Sequence, residues 1–208
     1  MPAPTPPTNK GQKFPPEPLT SDEVRRLLTA ASNRSSSGIR VRALIAVMYG
    51  AGLRIAETID LYPRDADTED GTVRVRCGKN SKWRFVGLDP FACGLLDRWL
   101  TRRSDLGLNG RHPIFTTYSE GNMGTPLSQR YIRTALARLA TRSGIEKRVH
   151  PHGLRHSFAF DLAQRGTPIH QIQAQLGHES LSGTERYISH LAPMDVVAMM
   201  RERDWSAS

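Results

Sequence analysis

Six side chains scattered along this sequence would share one chemistry if folding brought them together. They are Arg54 in GAGLRIAE, Lys79 in GKNSKWR, His152 and Arg155 in PHGLRHS, His178 in LGHES, and Tyr187 nine residues later. A planar, permanently charged guanidinium can grip two non-bridging oxygens of a phosphodiester, so two arginines make a clamp. A tyrosine hydroxyl, with an ordinary pKa of about 10, is ionised in roughly one molecule in a thousand at neutral pH, so its attack needs a neighbour to take the proton. Histidine suits that task. A sugar alkoxide leaves poorly unless it is protonated as it departs, which a lysine in a turn, Lys79 or Lys82, could do. Taken singly, each residue has an ordinary reading. Arg54 can pair with Glu57 at the surface, His152 and Arg155 can be a solvated i, i+3 pair, His178 can end a helix, and the Tyr187 ring can pack on a core. As a set, they can transfer a phosphodiester to a phenol without a metal.

The elements that must position them are readable from spacing. Residues 1–19 hold 7 of the 14 prolines and few large apolar side chains, and are expected to form a disordered tail or linker remnant. Thr20 and Glu23 have capping-box spacing, and Val24, Leu27, Leu28 and Ala31 follow the i, i+3, i+4, i+7 rule of a helix. Val41, Leu44, Ile45 and Met48 repeat it up to Gly50 and Gly52, after which a short helix is expected from Leu53 to Ile59. In TVRVRC the period changes to two, so residues 72–88 read as a β-hairpin. Helical spacing returns with Ala92, Leu95, Leu96 and Trp99 after Asp89-Pro90, and with Ile132, Ala135, Leu136 and Leu139 between Ser128 and Gly144. HGLRHSFAFDLAQRG predicts a helix closed by Gly166, TPIHQIQAQLG one ending near Gly177, and MDVVAMMRERD a last one. The expected fold is mainly α with a small antiparallel β-hairpin or sheet (α+β), in one domain over residues 20–208.

In the order and spacing of its boxes the sequence resembles the tyrosine recombinase, or phage integrase, family. The boxes are Ala51-Gly52-Leu53-Arg54 with Glu57 and Leu61, Gly78-Lys79-Asn80-Ser81-Lys82-Trp83-Arg84, His152-Gly153-Leu154-Arg155-His156-Ser157, Leu176-Gly177-His178, and Tyr187. The resemblance covers about residues 19–203 and implies the family's catalytic-domain fold and a DNA strand transferase that needs neither metal nor ATP. It implies that Arg54 and Arg155 hold the scissile phosphate and that His152 adds a hydrogen bond and accepts the nucleophile's proton. Lys79 would protonate the departing 5′ oxygen, His178 would bond the phosphate, and Tyr187 would attack to leave a 3′-phosphotyrosine. Glu57 would orient the arginine box. Arg130, Arg133 and Arg138 would lie near DNA, with Lys82 and Arg84 as further contacts. The implied partners are double-stranded DNA, further copies of the chain forming a dimer or tetramer on it through the C-terminal helix, and a candidate accessory DNA-bending protein. The family's usual upstream core-binding domain has no counterpart ahead of residue 20, so a short single-domain member or a truncated gene is expected. Asn80 in the hairpin turn and Ser182-Gly183-Thr184 before the tyrosine also depart from the family pattern.

Composition agrees with such partners. Of 208 residues, 29 are Lys or Arg against 20 acidic, a formal charge of +9 and a sequence pI of about 10.1, which favours a polyanion. Cys77 and Cys93 lack metal-ligand spacing, and His150, His152 and His156 have no matching carboxylate or cysteine set, so neither metal nor other cofactor is expected. No apolar run approaches the roughly 20 residues of a membrane span, and no export signal opens the chain, so a cytoplasmic location is expected. Two rival readings share the same residues: a type IB topoisomerase that nicks and reseals one strand, and a non-catalytic DNA-binding remnant of a truncated integrase.

Overall fold

The computed structural model describes residues 17–77 and 82–177. Helix α1 (Ser21–Ala30) begins with the expected capping box: the Glu23 amide donates to Thr20 Oγ1 at 3.2 Å, and the Thr20 amide donates to the Glu23 carboxylate at 2.7 Å. Helix α2 (Ser36–Gly50) is buried around most of its circumference, through Ile39, Leu44, Ile45, Val47 and Met48 among others. Such a helix belongs at the centre of a domain, and α4 (Pro90–Asp105) and α6 (Pro151–Gln164) pack against it. Helix α5 (Gln129–Arg142) packs between α1 and α6, burying Ile132, Leu136 and Leu139. The largest fully buried side chain, Trp99 of α4, donates its Nε1–H to the Ile114 carbonyl at 2.8 Å, tying the helix to the following loop.

The sheet has three strands, not the two of the expected hairpin. Strand β2 (Thr72–Cys77) pairs antiparallel with β3 (Lys82–Gly87), and a two-residue β1 (Ala66–Asp67) adds to the free edge of β2. Register separates the faces: Val73 lies opposite Val86 and Val75 opposite Arg84, while Arg74 opposes Phe85 and Arg76 opposes Trp83. The first set faces the core and buries its valines. The second faces outward, with the Trp83 ring 4.7 Å from the Arg74 guanidinium and 5.0 Å from that of Arg76.

Two boundaries differ from expectation. Helix α3 (Ile55–Ile59) starts later than Leu53 because Arg54 is its N-cap. Leu19, expected to lie in an unstructured tail, is instead buried, and its amide donates to Ser157 Oγ of α6 at 2.8 Å. Lys147 reinforces this docking, with its Nζ 3.1 Å from the Pro18 carbonyl and 3.2 and 3.0 Å from the carboxylates of Glu17 and Glu23. Helix α7 (Ile169–Leu176) packs on α6 and β3 and ends at Gly177, which is left-handed at φ 63°. The last expected helix, residues 194–204, lies outside the described residues. Among the described residues no helix is long and apolar enough to cross a membrane.

Candidate active site

The site gathers around one carboxylate. At the N-terminus of α3, Glu57 reaches back so that the Arg54 amide donates to its Oε2 at 2.8 Å, which is half of a capping box. The same carboxylate receives the Arg54 guanidinium through Nη1 at 2.9 Å. It also accepts a two-pronged bond from Arg84 of β3, Nη1 to Oε1 at 2.9 Å and Nη2 to Oε2 at 3.1 Å. Arg155 Nη1 stands 3.8 Å from Oε2. Three guanidinium groups from α3, β3 and α6 therefore converge on Glu57. Burial alone would raise its carboxyl, but the hydrogen bonds from Arg84 and from the Arg54 backbone, and the charges of the two arginines, hold it below the usual carboxylate range.

Arg155 is the most enclosed of the three, at 3% exposure. It bridges two segments, donating to the Gly52 carbonyl through Nη1 and to the Leu176 carbonyl through Nη2, both at 2.6 Å. Its burial and the neighbouring Arg54 charge lower its pKa to about 10, so it stays cationic at neutral pH. The carbonyl it meets at Gly52 follows a left-handed backbone, φ 64°, where a Cβ would meet the Phe158 ring at 2.4 Å. Glycine is therefore required there on both counts. Arg54 is nearly half exposed and also approaches the Gly177 carbonyl at 3.4 Å. His152 stands one turn before Arg155 on the same helix, at the exposed rim, with its ring 3.8 Å from that of His156. Partial burial, and then the charges of Arg155 and Arg54, depress its pKa. The arrangement is a cationic, partly exposed cluster beside an imidazole biased toward its neutral form, suited to holding a phosphodiester and receiving a proton.

Of the residues expected to act, Arg54, Glu57, His152 and Arg155 are brought together. Lys79, His178 and Tyr187 lie outside the described residues; Lys82 is the first residue of β3. Arg130, Arg133 and Arg138 are all exposed on α5, and Arg133 bonds the Gln129 side chain at 2.9 Å. Arg84, expected to touch DNA, is instead turned inward with its side chain 12% exposed, because it shares the core face of the sheet with Val86. The alternation in WRFVGL carried that signal. His150 also has a role that its sequence did not suggest: its Nδ1 accepts the Gly153 amide at 3.0 Å and so caps the helix that carries His152 and Arg155. Among the described residues no group of three or more His, Cys, Asp or Glu could hold a metal ion.

Comparison with known proteins settles the family. A model described as the phage integrase family matches residues 17–193. The chain belongs to the phage integrase family. Within it, the chain is 36% identical over 192 residues to tyrosine recombinase XerC of Xanthomonas axonopodis pv. citri (strain 306), covering 90% of this chain and 60% of that protein. The crystal structure of XerA recombinase matches with a TM-score of 0.77 at 29% identity, over 95% of this chain and 70% of that one. XerH site-specific recombinase, in a pre-cleavage complex with its difH substrate, matches with a TM-score of 0.70 at 29% identity, over 83% of this chain and 50% of that one. The chain spans 54% to 64% of the length of eight of the curated relatives it matches. Its mainly helical fold with a small antiparallel sheet is that of the integrase catalytic domain.

Proposed function

We propose that this integrase-family chain is a site-specific recombinase that cleaves and rejoins double-stranded DNA through a 3′-phosphotyrosine. The observation that carries the reading is the convergence of Arg54, Arg155 and His152 in one cationic cluster. That cluster lies against Leu176 at the end of α7, two residues before His178 in the sequence.

The roles follow from charge and proton balance. Arg54 and Arg155 hold the non-bridging oxygens of the scissile phosphate, where charge grows as the phosphorus becomes five-coordinate. The Tyr187 oxygen forms a bond to phosphorus and its proton passes to His152. The bond from phosphorus to the 5′ oxygen breaks, and Lys79 supplies the proton that this oxygen takes. His178 bonds the phosphate. Because the diester is exchanged for a protein ester, a second 5′-hydroxyl reverses the step without ATP. The recombinase names of the relatives support this reading over a topoisomerase or an inactive remnant. Residues 20–208 would form the catalytic domain, working in the cytoplasm on DNA as one of two or four copies joined through residues 194–204, with an accessory DNA-bending protein as a further candidate partner.

The test is a covalent-adduct assay on DNA from either flank of the gene, with Tyr187→Phe alongside. The expected outcome is a slow-migrating band on a denaturing gel that the variant lacks. A band that survives Tyr187→Phe, or no band with any flank despite salt-sensitive binding, would overturn the reading.

A further inference from the structure

The geometry points to Arg84 as a positioning residue for the strand-transfer site: by forking both oxygens of Glu57 it stops that carboxylate from neutralising the phosphate clamp, and its guanidinium seats the turn at Gly177. The inference rests on the recombinase reading. Glu57 is placed to do harm as well as good. A carboxylate 2.9 Å from one clamp arginine and 3.8 Å from the other holds them in place, yet it competes with the phosphate for the same donors. A bidentate guanidinium is the strongest neutral solution to that conflict, because it satisfies both oxygens in a fixed plane and returns one positive charge. Arg84 supplies this from the core face of β3, where it lies opposite Val75 and in phase with Val86. Its side chain is 12% exposed and both of its Nη atoms are engaged by Glu57.

A second contact gives the same arginine a second task. A Cβ built on Gly177 would meet Arg84 Cζ at 2.6 Å, so the left-handed turn rests directly on the guanidinium plane. The neighbouring carbonyls are the ones the clamp uses: Leu176 accepts from Arg155 and Gly177 from Arg54. Displacing Arg84 therefore disturbs both the charge on the clamp and the backbone immediately before His178. Loss of alignment of this kind lowers the rate of the chemical step more than affinity.

The experiment uses the full chain carrying Arg84→Met, Arg84→Lys, Glu57→Gln, or Arg84→Met with Glu57→Gln. Adduct formation is followed in single turnover on gene-flanking DNA, and duplex affinity is measured separately. Arg84→Met is expected to slow adduct formation on the order of 100-fold, with affinity within about 3-fold and an unchanged salt slope. Arg84→Lys should recover little, because an ammonium cannot fork a carboxylate. Glu57→Gln in the Arg84→Met background should restore part of the rate, since no unbalanced carboxylate remains, whereas a merely structural loss would compound. Parent-like rates in Arg84→Met, a further loss in the double variant, or a salt slope reduced by about one would each overturn the inference. If the parent chain forms no adduct the recombinase reading fails, and a carbon-13 titration of the Glu57 carboxyl decides the pairing alone. It should titrate at higher pH in Arg84→Met, and an unmoved titration would refute Arg84 as its counter-ion.

Discussion

At the residue scale, His152 shows how placement sets protonation. Partial burial, followed by the charges of Arg155 and Arg54, lowers its pKa from the ordinary 6.5, so the neutral ring persists into mild acid. The adduct-forming rate should therefore rise with pH through a midpoint below 6.5 and be level by neutrality. His150 moves in the same direction, through burial, then the charges of Arg148 and His152. Its Nδ1 must stay unprotonated to accept the Gly153 amide, so acid also loosens the cap of α6. The linkage sign is the same for both. The unfolded chain binds these protons more readily, so stability is fully present above about pH 6.5 and declines as pH falls below it. The two effects separate in His150→Asn, which keeps a capping acceptor without titrating. Its rate profile should keep the midpoint below 6.5, whereas a profile flat from about pH 5 upward would remove His152 as the proton acceptor.

At the scale of elements, the site is a meeting of ends: the start of α3, the cap of α6, the close of α7 and the inward face of β3. Gly177 is the joint among them. Alanine there would have to adopt φ 63° and push its Cβ into an Arg84 side chain already fixed on Glu57. Gly177→Ala should cost about 1–2 kcal/mol from the left-handed backbone alone, and should slow adduct formation more than the lowered melting temperature explains. A loss of stability with full activity would show that the turn does not position the site. Most of these elements are legible in the sequence because local chemistry decides them: the Thr20 box, Asp89-Pro90, the Ser128 cap, and glycines at 144, 166 and 177 with positive φ. What is not legible depends on partners far away in the chain. Strand β1 is two residues that exist only by pairing with β2. Leu19 is ordered by a serine 138 positions later. His150 is a helix cap that its sequence context did not suggest. The alternation that places Arg84 inward was present, but the positive charge argued for the outside.

At the scale of the whole molecule, a formal charge of +9 overstates the charge available to DNA, because several arginines serve the fold. Arg103, 3% exposed, donates to the carbonyls of Leu108, Asn109, His112 and Pro113 and so holds the loop after α4. Arg40, 5% exposed, donates to the Thr116 carbonyl and the Tyr131 hydroxyl with the rings of Tyr118 and Tyr131 about its guanidinium. These two are committed to the fold and release no counterions when DNA binds. The exposed arginines of α5 differ, since each one laid on a phosphate contributes about −0.9 to the slope of log affinity against log salt. Replacing Arg130, Arg133 and Arg138 together by glutamine should make the slope for a short non-specific duplex shallower by about two to three, with little change in melting temperature. Arg103→Gln should do the opposite, lowering the melting temperature and leaving the slope alone, because it strips donors from buried carbonyls. An unchanged slope in the triple variant would place the DNA on another face of the domain.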